Sequence, residues 1–316
     1  MRQKVVGYAA MAFFIVTALL SAPLQANYRD LIDAAARGDL SLVSSLLDKG
    51  ADVNARRNDG ATALIMASLE GHVEVVNDLL AKGADVNVKA GNGATALIAA
   101  SENGHGKVVK ELLAKGADVN ARRNDGATAL IMASQEGHGG VVKELLARGA
   151  DMNVKAGDGA VALFMASQDG HGEVVKYLLV KGVDMDVKAK DGDTALFITS
   201  LNGHDEVIKY LLVKGADMDV KAVHGATALF MASENGHEEI VKDLLAMGAD
   251  VNVRRNDGAT ALIMASQEGH VEVVKGLLAK GADVNVKAGN GVTALIAASE
   301  NDRTEVIRLL KSAGAK

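Results

Sequence analysis

With 316 residues, 49% of them hydrophobic but only 3% aromatic and no Trp, the chain can bury a core, and that core is built from Leu, Val, Ile, Met and Ala. A formal charge of −6 with no strongly basic segment argues against a protein that holds nucleic acid through its phosphates. The absence of Cys excludes disulfides, thiol catalysis and thiolate metal sites.

The chain opens with Arg2 and Lys4, then an apolar run from Val5 to Leu20 and a short stretch closing at Ala26. That order of charge, apolar run and small residue is the pattern of an export signal. The run is shorter than the roughly 20 residues a membrane-spanning helix requires. The expectation is a signal over 1–26 cleaved after Ala26, with an uncleaved anchor as the alternative. The mature protein, 27–316, is then exported, periplasmic or secreted, and removal of Arg2 and Lys4 takes its charge from −6 to −8.

From residue 28 onward a 33-residue lattice runs to the end. The thirteen letters RRNDGATALIMAS stand at 56–68, 122–134 and 254–266, and 61–93 differs from 259–291 only at Leu69/Gln267, Asn77/Lys275 and Asp78/Gly276. Within 61–93, Thr62 is placed to cap a short helix containing Ala63, Leu64, Ile65, Met66 and Ala67. Gly71 interrupts it. A second helix starts near His72, with Val75, Val76, Leu79 and Leu80 at helical spacing and polar residues opposite. Gly83 ends that helix, since a left-handed C-terminal cap favours glycine, and "VKAGNG" suits a tight turn.

These residues resemble the ankyrin repeat. The G-x-T-P-L-H-x-A half is represented by Gly60, Thr62, Ala63, Leu64 and Ala67, and the G-H-x-E-V-V half by Gly71, His72, Glu74, Val75, Val76, Leu79, Leu80, Gly83, Ala84, Asp85, Val86 and Asn87. Ala63 stands where the family has Pro, and Ile65 where it has His. The resemblance implies an all-α repeat solenoid: stacked helix-turn-helix ankyrin repeats with protruding β-turn or hairpin fingers. About nine repeats start at 28, 61, 94, 127, 160, 193, 226, 259 and 292, and the first and last are more polar than the interior copies.

Equivalent residues in stacked repeats lie roughly 10 Å apart, so the histidines at 72, 105, 138, 171, 204, 237 and 270 cannot converge on one metal ion. They are expected to bond nearby backbone at second-helix starts. No metal or cofactor is expected, and the serines at 68, 101, 134 and their equivalents, which end first helices, lack a nucleophile's setting. The expectation is a protein without catalysis.

Cations recur on the fingers at Arg56, Lys89, Arg122, Lys155, Lys188, Lys221, Arg254 and Lys287, with Arg57, Arg123 and Arg255 beside three of them. In the family, first-helix ends line a groove; here those positions include Glu102, Asn103, Gln135, Glu136, Gln168, Asp169, Leu201, Glu234, Asn235, Gln267 and Glu268. Basic fingers thus face a more acidic groove, which reads either as a recognition stripe or as a solvated, mixed-charge surface. After the signal, the aromatic residues other than Tyr28 fall in 160–258. Phe164, Phe197 and Phe230 replace the Ile65 position, as core or as exposed anchors, and Tyr177 and Tyr210 lie on second helices. Lys190, Asp193, Leu201, Val223 and His224 also depart from the other copies there.

The resemblance implies a scaffold that binds another protein through finger tips and groove, as a monomer, without nucleic acid and without membrane attachment after signal cleavage. Two alternatives share that surface: a secreted host-directed effector, and a protective protein for a periplasmic enzyme such as a catalase, as is known among similar bacterial proteins.

Overall fold

The computed structural model describes residues 29–316; the signal over 1–26, its cleavage site and Tyr28 lie outside the described residues. Helices come in pairs. The first members are α1 over 29–37, α3 Ala63–Glu70, α5 Ala96–Glu102, α7 Ala129–Gln135, α9 Ala162–Gln168, α11 Ala195–Asn202, α13 Ala228–Glu234, α15 Ala261–Glu268 and α17 Ala294–Glu300. The second members are α2 Leu40–Asp48, α4 Val73–Ala81, α6 Gly106–Ala114, α8 Gly139–Ala147, α10 Gly172–Val180, α12 Asp205–Val213, α14 Glu238–Ala246, α16 Val271–Ala279 and α18 Thr304–Ser312. Extended pairing among the described residues is confined to two isolated bridges, Arg122 with Thr128 and Arg254 with Thr260, so the fingers are turns closed at the base. The result is an all-α repeat solenoid.

Two compact units are present, one of 29–133 with 140–151 and one of 134–139 with 152–316. In the first, α3 packs on α5, and α4 lies between α2 and α6. In the second, α9, α11, α13, α15 and α17 pack in succession, and α10, α12, α14, α16 and α18 form a parallel layer against them.

Local sequence explains both layers. Seven first helices begin at a hydroxyl: Thr62, Thr95, Thr128, Thr194, Thr227, Thr260 and Thr293 accept the backbone N–H three residues on, at 3.2–3.4 Å. Val161 holds the same extended backbone without a hydroxyl, leaving α9 uncapped by a side chain. The first helices α3 to α15 are buried almost all round, whereas second helices are amphipathic. In α4, Val75, Val76 and Leu79 are buried while Glu74 and Asn77 face water. Leu80, grouped with Leu79 by its spacing, is only half-buried.

The aromatic alternatives resolve to the interior. Phe164, Phe197 and Phe230 are 8%, 8% and 2% exposed, and Phe197 and Phe230 share a cluster with Ala226, Ala259 and Met264. They fill the core where other copies use Ile.

The histidines act over a longer reach than expected. Five of the rings leave their own helix N-termini uncapped and bond through Nε2 to a first-helix carbonyl 36 residues earlier: His72 to Ala36, His105 to Leu69, His204 to Gln168, His237 to Leu201 and His270 to Glu234, at 2.8–3.0 Å. Arg303, which replaces His in the last copy, makes the same tie from Nε to Gln267 at 2.9 Å. The ladder therefore stitches repeat to repeat.

A second tie comes from the Asn that ends "ADVN". Asn252 Nδ2 donates to the Gly281 carbonyl at 3.2 Å while Oδ1 accepts from Asp283 N at 2.8 Å. Asn54, Asn87, Asn120 and Asn285 make the same two-point clasp. Asp186 and Asp219 keep only the accepting half, from Asp217 N at 3.1 Å and Asp250 N at 3.3 Å, because a carboxylate has no hydrogen to give the carbonyls of Gly215 and Gly248. Asp186→Asn and Asp219→Asn are each expected to stabilise the fold by about 0.5–1.5 kcal/mol. Urea denaturation of the single variants checks this, and unchanged midpoints would count against the clasp.

Candidate finger and groove surface

Each finger is a four-residue turn ended by a glycine. In the finger 252–258, Arg255 N bonds to Ala259 O at 2.9 Å and Gly258 N to Arg255 O at 2.8 Å. Neighbouring fingers are then joined tip to tip by backbone bonds. In the second unit these run from Lys190 N to Asp158 O, Val223 N to Asp191 O, Asn256 N to His224 O and Gly289 N to Asp257 O, at 2.7–3.0 Å. The first unit has the same link from Gly91 N to Asp59 O and from Asn124 N to Asn92 O. Within each unit the tips form a row held by backbone bonds.

The charges on that row are not equivalent. Arg57, Arg123 and Arg255 each fold onto the Asp two residues on, with Nε at 3.0–3.1 Å from Asp59, Asp125 and Asp257. Hydrogen bonding to these guanidinium groups, with Arg57 and Arg255 the leading causes, lowers the carboxyls of Asp59 and Asp257 to about 2. Arg123 also lies 3.8 Å from Glu102, and Arg255 sits 4.9 Å over the Phe230 ring. These arginines present neutralised pairs. The spacing R-x-D was the available signal.

The neighbouring cations brace the next finger. Lys89 Nζ donates to Arg122 O at 3.1 Å, Lys155 Nζ to Lys188 O at 3.2 Å, and Arg254 donates to Lys287 O. Arg122 and Arg254 also close their own fingers onto Gly126 O and Gly258 O at 3.2 Å. Arg56 and Lys287 are exposed.

The fingers over 186–192 and 219–225 differ from the rest. Lys188, Lys190 and Lys221 are exposed, and their ammonium groups have no hydrogen-bond or ion-pair partner among the described residues. Val223 beside them is 58% exposed. At the base of these fingers, burial and then the charge of Asp191 raise the Asp193 carboxyl, partly offset by the nearby His224.

On the groove side Gln135, Gln168, Leu201 and Glu234 are all half-buried at first-helix ends. Their backbones already serve the stack: the carbonyls of Gln168, Leu201 and Glu234 accept histidine ties. Burial raises the Glu234 carboxyl, against the pull of Arg255. The contrast between basic fingers and acidic groove is thus partly consumed inside the molecule, at Glu102 with Arg123 and at Glu234 near Arg255. The outer helices hold Tyr177 and Tyr210 under lysines, Lys181 at 5.5 Å over Tyr177 and Lys176 at 5.5 Å over Tyr210.

Paired helices, turn fingers and repeat-to-repeat ties define an all-α repeat solenoid. Models of ankyrin repeats match 31–80, 83–156, 163–255 and 247–316, more than half the chain, and the chain belongs to the ankyrin-repeat family. No curated protein matches it. Ankyrin repeats generally mediate protein–protein interaction, and proteins built from them are typically non-catalytic scaffolds.

Proposed function

We propose that this chain is a non-catalytic scaffold that binds an acidic surface of another protein through the finger tips over 186–192 and 219–225. The observation behind this reading is the contrast in charge use: arginine fingers fold onto their own aspartates, while Lys188, Lys190 and Lys221 keep free ammonium groups around the exposed Val223. The backbone-braced row has little main-chain freedom left to lose on binding, and its unpaired cations steer an acidic partner electrostatically.

A triple variant, Lys188→Glu, Lys190→Glu and Lys221→Glu, is expected to abolish capture of the partner from the source cell's exported fraction and to flatten the salt dependence of binding. Lys107→Glu, Lys110→Glu and Lys209→Glu change net charge equally on exposed helix positions and should leave capture intact. Equal loss from both sets would reduce the effect to nonspecific attraction. The same proposal places the protein outside the cytoplasm after cleavage behind Ala26. Mass spectrometry of the exported form should find Asn27 as its first residue, and retention of Met1 in a membrane fraction would replace cleavage by anchoring.

A further inference from the structure

We propose that the outer helices α10, α12 and α14 carry a second docking surface, separate from the finger tips, for an amphipathic helix of a partner protein with carboxylates beside its apolar stripe. Four large hydrophobic side chains among the described residues are more than half exposed, and three of them stand at the same level of these three consecutive helices. Val180 at the end of α10 is 65% exposed, Val213 at the end of α12 is 80% exposed, and Met247, directly after α14, is 53% exposed. The other copies are different here. Ala stands at 81, 114, 147, 246 and 279 where α10 and α12 have valine, and a cation stands at 82, 115, 148, 181, 214 and 280 where Met247 follows α14.

One turn back, Tyr177 and Tyr210 replace the acidic residues found at Asp78, Glu111, Glu144 and Asp243. The exchange leaves positive charge uncancelled. Where the acid is kept it can meet the cation four residues on, as Glu144 meets Arg148 at 3.2 Å. Lys181 instead stands 5.5 Å over the Tyr177 ring, and neither Lys181 nor Lys214 has an ion-pair partner among the described residues. The acids of the same helices, Glu173, Asp205 and Glu206, sit in the first turns, about 10 Å or more along the axis from the valines. Asp184 and Asp217, the next acids along the chain, turn onto loop backbone and accept Asp186 N at 3.1 Å and Asp219 N at 3.0 Å. An apolar row edged by two ammonium groups is complementary to an apolar stripe edged by carboxylates.

Spacing decides the shape of the occupant. α10, α12 and α14 pack side by side, and packed helices stand roughly 10 Å apart. Seven residues of an α-helix advance about 10.5 Å and return close to the same face. A strand presents same-face residues about 6.7 Å apart, or about 13 Å for every second one, and matches neither step. A helix crossing the layer therefore sets residues at i, i+7 and i+14 over Val180, Val213 and Met247.

The probe is a synthetic helix with Leu seven residues apart, Glu on both sides of each Leu, and Ala and Gln elsewhere. Titrated into the full-length protein, it should give saturable methyl shifts at Val180, Val213 and Met247, with a dissociation constant on the order of 0.1 mM. Val180→Ala combined with Val213→Ala installs the residue of the other copies at two solvent-facing positions, so it should preserve the fold and weaken the probe about tenfold. Lys181→Gln combined with Lys214→Gln should weaken it about three- to fivefold and flatten its salt dependence. The triple finger variant of the preceding section should bind the probe normally, so the two surfaces fail independently. A peptide of the same composition with its leucines five residues apart should cause no shifts. No shifts at these methyls, undiminished affinity in the double valine variant, or equal binding of the two peptides would each overturn the proposal. So would self-association, or recruitment to phosphatidylglycerol vesicles, that the double valine variant abolishes, since either would give the row another occupant.

Discussion

Replacing Phe230 with Ala is expected to cost about 3–5 kcal/mol, the range for truncating a fully buried aromatic side chain. Phe230 is 2% exposed, and its ring packs with Phe197 and Met264 on one side and supports the Arg255 guanidinium at 4.9 Å. The loss should be local. In a stack whose contacts run between neighbours, removing one block loosens the adjacent repeats before distant ones. Hydrogen exchange should rise first over α11, α13 and α15 and leave α3 to α6 protected. Uniform loss of protection from 29 to 316 would contradict this one-dimensional picture.

Gly236→Ala is expected to cost about 2–5 kcal/mol, for two reasons that a double-mutant cycle separates. Gly236 has φ +74°, and forcing an L-residue into left-handed backbone costs roughly 1–2 kcal/mol. A Cβ there would also stand 2.5 Å from Cε1 and 2.6 Å from Nδ1 of the His270 ring, displacing the ring whose Nε2 holds the Glu234 carbonyl at 3.0 Å. A carbonyl left without its partner adds about 1–3 kcal/mol. With His270→Ala already in place, the clash and the bond are both gone, so the same glycine change should cost only the backbone strain. If Gly236→Ala costs as much in that background as in the native one, the close approach of glycine and ring plays no part in stability.

Much of this architecture was legible in the sequence because it is local. Thr62 before an apolar helix, Gly83 after an amphipathic one and a 33-residue period are statements about single segments and their neighbours along the chain, and helix caps and amphipathic faces follow from those alone. The recurrence of His72 and its equivalents was equally visible, but a period says nothing about direction. It took the stacked structure to show each ring reaching 36 residues back to a carbonyl of the previous repeat.

The surface was less legible, because charge pairing depends on turn geometry and on what stands across the groove. From letters alone the fingers form one basic line. In three dimensions Arg57, Arg123 and Arg255 are consumed by Asp59, Asp125 and Asp257, while Lys89, Lys155 and Arg254 brace the next finger. Phe164, Phe197 and Phe230 could be placed only by packing, since an aromatic residue at an Ile position fits a core or an anchor equally well until its neighbours are known. The identical stretches 122–134 and 254–266 mark the boundary most clearly. Sequence determined that both form the same turn and the same capped helix, but the elements packed beside them decided that Arg123 lies near Glu102 and Arg255 over the Phe230 ring, because ion pairing and ring contact are properties of surroundings that a segment does not contain.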